Sequence, residues 1–337
     1  MGDPKHHHFI PQFYLRRFAD SREGLHQIEK IDRSRAIPTR VSKSGSKRDY
    51  HTLDWKDEAA DRCTIESRLS VLESRQDKML KALTEDSGSL ESLRHELIDF
   101  VTLMFHRVPA FKRDIEKRLR DVVNSTGRML LRAGKFPEPP ESIKDLIREK
   151  GDDIFDAQIS NWKLVEEMFN LASQSPISKI LEAMNCSILS VEDESSFLIT
   201  SDTPVVLYNA NHDPKSPYGS GFAQKAVEVT IPLSSKMLLL FSHSDSPHGR
   251  LTHDLIRHFN QRMIVGAERF IYTQEVSEEL LDDLQRLHRQ QAGFVSSTLE
   301  HSDGALFISK TVPVTRSHLQ ATSEQALPKQ PPTATVP

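Results

Sequence analysis

Three consecutive histidines, His6, His7 and His8, stand near the start of the chain in the run HHHFIPQFYLRRF (6–18), which also holds a proline, four aromatics and two arginines. Imidazole is the commonest protein ligand for zinc-like cations, and it titrates near neutrality without help. On extended backbone, neighbouring side chains point to opposite sides, so one or two of three histidines can converge on a metal or a phosphate. His7 and His8 are the candidates, as ligands to a divalent metal or as a general base, and Asp49, His51 and Asp54 in DYHTLD (49–54) are available partners. A second constellation is FLITSDTPVV (197–206), an apolar strand running into three hydroxyls and a carboxylate. There Asp202 is a cation ligand or base and Thr200, Ser201 and Thr203 are hydrogen-bond donors. A third candidate is Arg107 in FHRVPAFKR (105–113), whose guanidinium at a helix break can grip a phosphate or carboxylate bidentately. Each has a plainer use beside it: histidines bonded to backbone, Asp202 capping a turn, and Arg107 paired with a glutamate.

The elements that must position these groups follow from periodicity. Pro11 suits the start of a short helix on which Ile10, Tyr14 and Phe18 share a face. Short strands or loops follow to residue 56. From Asp57 the pattern turns to long amphipathic helices: one stripe runs through Ile65, Leu69, Leu72, Met79 and Leu83, and the next through Leu90, Leu93, Leu97, Phe100, Val101 and Met104. A third helix follows Pro109, and GKFPEPPES (134–142) breaks the chain again. After Cys186 the period shifts toward two through SILSVED, SFLITSD, PVVLYN, VEVTIPL, KMLLLFS and RFIYTQ, with helices at HDLIRHFNQRMIVGA and SEELLDDLQRLHRQQ. His253 and His258 in the first of these helices are five apart and read as surface residues. The expected organisation is α+β: an N-terminal segment 1–56, a helical region 57–185, a mostly antiparallel sheet region 186–312 and a disordered tail 313–337.

The chain has 337 residues and a net charge of −4, which gives no global basic field for nucleic acid. Its first 48 residues nevertheless carry eleven Lys or Arg against five acids, so that segment, with Arg16 and Arg17, can face the phosphates of a nucleotide or nucleic acid. Two cysteines, Cys63 and Cys186, far apart, supply neither a disulfide framework nor a thiolate zinc site. No run of apolar residues is long enough to span a membrane, and no secretory signal is legible, so the expected setting is the cytoplasm. The Gly-x-Ser-x-Gly elbow, the P-loop, the dinucleotide glycine motif and the His-Glu-x-x-His pair are all missing from the sequence, which disfavours the best-marked enzyme classes.

Two resemblances bear on the motifs. The His-x-x-Pro run from His8 to Pro11 resembles the opening of HNH-type nucleases, in which the histidine is the general base; the later Asn and His positions of that family have no counterpart here. More broadly, HHFIPQFYLRRF, FHRVPAFKR and FLITSDTPVV, followed by IPLSSKMLLL and FNQRMIVGA leading to RFIYT, resemble the uncharacterised bacterial family known as domain of unknown function 4238. That resemblance implies that His7, His8, Pro11, Tyr14, Leu15, Phe18, Arg107, Ser201, Asp202, Pro204, Pro232 and Asn260 occupy motif positions, and that one site is formed by the two ends of the chain. It implies no activity.

The leading expectation is a metal-dependent hydrolase, a nuclease among them. In it His7 and His8 act as ligand or base, Asp202 helps hold the cation, Arg107 binds phosphate, and Tyr14, Arg16, Arg17, Thr200, Ser201, Thr203 and Asn260 line the pocket. The alternative is a non-catalytic nucleotide- or peptide-binding sensor that uses the same pocket without a metal.

Overall fold

A computed structural model describes residues 6–31, 35–51, 64–84, 89–135, 141–150, 157–213, 221–244, 249–301 and 304–320. In chain order its first part contains β1 (His6–His8), α1 (Gln12–Leu15, continued by a 3-10 turn over Arg16–Phe18), β2 (Gly24–Glu29), β3 (Ala36–Arg40) and β4 (Ser46–Arg48). The middle is helical: α2 (Thr64–Thr84), α3 (Leu90–His106), α4 (Pro109–Arg132), α5 (Glu141–Lys150), α6 (Asn161–Ser173) and α7 (Pro176–Glu182). The last part holds β5 (Asn185–Ser190), β6 (Thr200–Ser201), β7 (Val206–Asn209), β8 (Val227–Ser234), β9 (Met237–Ser242), β10 (Gly249–Arg250), α8 (His253–Gly266), β11 (Phe270–Thr273), α9 (Glu278–Leu287), β12 (Gly293–His301), β13 (Gly304–Val312) and α10 (Arg316–Leu319).

Local chemistry accounts for many of these boundaries. Ser89, Ser160, Ser175, Thr252 and Ser277 each accept a first-turn N–H through the side-chain oxygen, at the starts of α3, α6, α7, α8 and α9. Pro11 stands at the N-cap of α1 in extended conformation, and its fixed φ sets the chain's entry into the helix.

The fold is α+β, with mostly antiparallel sheets. One sheet has the order β10-β5-β9-β8-β7, antiparallel except for the outer β10–β5 pair, and a second has the order β3-β2-β11-β6, antiparallel throughout. The N-terminal segment contributes a strand to the second sheet: β2 pairs with β11, Ile28 lying opposite Ile271. The main core packs Phe13, Tyr14, Leu15 and Phe18 of the α1 turn with Phe100 and Met104 of α3 and with Val229, Ile231 and Phe241 of the first sheet. Burying several such side chains, at roughly 1.5–3 kcal/mol each, holds the front end down. A second cluster joins α8 and α9 to β7 and β11 through Met263, Ile264, Leu284, Val206 and Ile271.

The expected tail from 313 begins instead with docked residues. Val314 is buried, its N–H donates to the Leu207 carbonyl at 2.8 Å and its carbonyl accepts from Asn209 at 2.9 Å, and Leu319 of α10 is buried as well. Residues 321–337 lie outside those described. No helix among the described residues is long and apolar enough to cross a membrane.

Candidate functional site

β1 runs antiparallel to β4, with His7 opposite Lys47, and turns His7 inward while His6 stays exposed. The His7 ring is buried and stacks on His51, centroids 5.7 Å apart and planes 11° from parallel, and its Nδ1 accepts the His51 backbone N–H at 2.8 Å. That acceptor role leaves the His7 proton on Nε2. His8 is half-buried, with its Nδ1 3.5 Å from the Gln12 amide nitrogen, and its carbonyl accepts from Arg107 Nη2 at 2.7 Å. Arg107 is 1 % exposed; the same Nη2 donates to Glu73 Oε1 at 2.8 Å, and its carbonyl accepts from the Tyr50 hydroxyl at 3.0 Å. It ties β1 to α2 and to the α3–α4 break, as a buried arginine must when its charge needs a partner. Asp49 is exposed and pairs with Arg48, while Asp54 lies outside the described residues.

The strand-end carboxylate is engaged elsewhere. Asp202 Oδ1 accepts the Glu268 N–H at 2.9 Å, and Oδ2 accepts those of Arg269 and Phe270 at 2.8 and 3.0 Å. Burial pushes its carboxyl up to about 6, against the pull of these bonds and of Lys30. Lys30, counted in sequence with the basic surface, is in fact buried: its ammonium donates to the carbonyls of Val265 and Ala267 at 2.9 and 2.8 Å. Burial lowers it to about 8 while the Asp202 charge acts the other way. Asp202 thus caps the turn between α8 and β11, closing three donors that would otherwise be orphaned.

The other motif residues are ties of the same kind. Tyr14 Oη donates to the Pro232 carbonyl at 2.8 Å and lies 2.8 Å from Thr200 Oγ1. Ser201 Oγ accepts the Thr203 N–H at 3.1 Å and donates to Met263 Sδ at 3.1 Å. The Asn260 amide brackets the strand backbone, taking the Ile199 N–H at 3.0 Å and giving to the Phe197 carbonyl at 2.9 Å. Arg16 pairs with Glu23 at 2.8 Å and Arg17 with Asp77 at 3.6 Å. Among the described residues, no group of three or more His, Cys, Asp or Glu side chains is placed to hold a metal ion, so His7, His8 and Asp202 are not gathered into one ligand set. His253 is exposed as expected. His258 is not: it is half-buried between Tyr208 and Arg262, whose Nε donates to it at 3.0 Å, and burial lowers it to about 4.

One cleft among the described residues is bordered by more cations than carboxylates. A 410 Å³ cleft at the start of α4 is bordered by Lys47 and Arg48 of β4 and by Lys112 and Arg113 of α4, against the carboxylates of Asp49 and Glu116. α4 has no side-chain cap and no acid in its first turn, where helices usually place one, and two cations stand next to its positive end instead. Lys112 is held by the Tyr50 carbonyl at 2.9 Å and by Asn161 Oδ1, with its ammonium 4.4 Å from the Tyr50 ring centroid. Such an arrangement can bind an anion through ammonium, guanidinium and backbone N–H groups together. The 490 Å³ cleft beside His6 and His8 is bordered instead by two carboxylates and one arginine, with Glu73 on Arg107, Asp77 on Arg17 and Lys81, and Arg16 on Glu23. The sequence pointed to Lys47 and Arg48 through the basic first segment, but Lys112 and Arg113 read only as the polar face of an amphipathic helix. Their one signal was the missing acid after Pro109.

A family profile described as "Protein of unknown function (DUF4238)" matches residues 6–277, from β1 to the start of α9. The β12–β13 hairpin lies beyond the match. No curated protein and no solved structure matches the chain.

Proposed function

Because the chain belongs to the DUF4238 family, whose description assigns no activity, we propose from the geometry alone that it is a binding module for a phosphate-bearing small ligand. The ligand is held in the cleft at the start of α4. The observation that carries the reading is the charge of that cleft, four cations against two carboxylates at the uncapped positive end of a 24-residue helix. Arg48 meets Asp49 and Arg113 meets Glu268, and the remaining repulsion of the cations with one another and with the helix dipole is a cost that an anion offsets. His7, His8, Asp202 and Arg107 serve this module as its frame: they fix β1, the α8–β11 turn and the break before α4. Two distant cysteines fit a reducing, cytoplasmic setting for it.

Calorimetric titration of the whole protein with inorganic phosphate and pyrophosphate tests the reading. Saturable binding that weakens at least tenfold in a Lys47→Gln, Arg48→Gln, Arg113→Gln triple variant supports it. Equal binding by the triple variant, or none by the wild type, removes it.

A further inference from the structure

The anion cleft has a neighbour. Arg113 also borders a second cleft, of 450 Å³, between α4, the α8–β11 turn and the β12–β13 hairpin. We propose that this second cleft takes the uncharged nucleoside half of a mononucleotide whose phosphate sits at Lys112 and Arg113, an inference that rests on the phosphate reading.

The two clefts differ in charge in the way such a ligand requires. The first is bordered by four cations against two carboxylates, the second by two of each, Arg113 and Lys117 against Asp114 and Glu268, with Arg113 paired to Glu268 and Asp114 to Arg118 at 3.1 Å. What remains to meet a ligand is apolar or neutral surface, including Ala110, Phe294 and Thr203. The Phe294 ring is fixed by Phe105 and Phe111, each 5.2 Å away between centroids, and offers a set aromatic wall to a flat base. The volume lies in the range of small-molecule sites.

Thr203 supplies an independent pointer. It is 8 % exposed, it borders this cleft, and its hydroxyl finds no hydrogen-bond partner among the described residues. A buried hydroxyl without a partner is costly in the free protein, and a turn about χ1 that brings it to the cleft wall lets a nucleoside oxygen or ring nitrogen remove that cost. The neighbouring Ser201, by contrast, has both its partners. The hairpin that roofs the cleft is held to α4 by the Phe294–Phe111 contact and by polar contacts, Thr298 to Asp121 at 2.7 Å and Ser309 to Asp114 at 3.3 Å.

The test is a calorimetric series on the full chain at fixed ionic strength, with inorganic phosphate, ribose 5-phosphate and the four common nucleoside monophosphates. At least one nucleotide is expected to bind tenfold or more tightly than both phosphate and ribose 5-phosphate. The Thr203→Val variant is expected to lose about five- to tenfold in nucleotide affinity. It should keep its phosphate affinity and melt no lower than the wild type. Phosphate binding with no gain for any nucleotide, or a gain for ribose 5-phosphate alone, overturns the nucleoside compartment and leaves the phosphate reading standing. Nucleotide affinity unchanged in Thr203→Val also overturns it. Failure of every ligand to bind overturns both.

Discussion

The hydroxyl oxygens of Tyr14 and Thr200 lie 2.8 Å apart although 186 positions separate the two residues. The same Tyr14 hydroxyl donates to the Pro232 carbonyl at 2.8 Å, so one buried phenol joins the front end to two different sheets. Burial raises its pKa far above the usual tyrosine range, and it stays protonated as a donor at any working pH. The front end of the chain does meet the strand that runs into Thr-Ser-Asp, therefore, and it meets it through Tyr14.

Replacing Tyr14 with Phe keeps the ring and orphans the Pro232 carbonyl and Thr200. The expected cost is about 1–3 kcal/mol of unfolding free energy, with phosphate affinity unchanged. Urea unfolding followed by circular dichroism measures it, and a variant as stable as the wild type would contradict the role given to this phenol.

Asp202→Asn tests whether that carboxylate is a capping group. Three N–H donors face its two oxygens. An amide presents an NH2 to one set of them and leaves the Lys30 charge without its counterpart, so the expected loss is about 2–3 kcal/mol with ligand binding retained. Loss of binding at unchanged stability would instead make Asp202 part of the ligand site.

Acid should weaken the fold through its buried imidazoles. His106 packs against Phe105 and Phe111 with its Nδ1 2.6 Å from the Thr102 carbonyl, and burial lowers it to about 4. A folded pKa below the unfolded value carries stability that is whole above about 6.5 and is lost as the pH falls through about 4. Asp202, raised to about 6, acts with the opposite sign and gains as it protonates. The urea midpoint of His106→Leu should therefore fall less steeply between pH 6.5 and pH 4 than that of the wild type. Parallel slopes would place the acid sensitivity elsewhere.

What could be read in the sequence was local. The turn of helix after Pro11, with Tyr14 and Phe18 on one face, appears with their rings 5.2 Å apart, and the helices after Pro109 and His253 start where the sequence indicates. Pairing across the chain was not legible, because nothing in GLHQIE specifies FIYT as its neighbour; that choice is made by the buried Ile28 and Ile271 only once both strands meet the second core cluster. Asp202 shows the same limit at a site, since a carboxylate beside three hydroxyls looks alike whether it holds a cation or three backbone amides. Lys30 and Lys47 are one basic segment in sequence, yet one is buried beside Asp202 and the other borders an open cleft.

Anomalous diffraction from crystals soaked in tungstate, a heavy analogue of phosphate, tests the central claim most directly. The account predicts one dominant peak in the cleft bordered by Lys47, Lys112 and Arg113 at the start of α4, abolished by added phosphate. A dominant peak beside His6 and His8, or a scatter of weak peaks with none at α4, would contradict it.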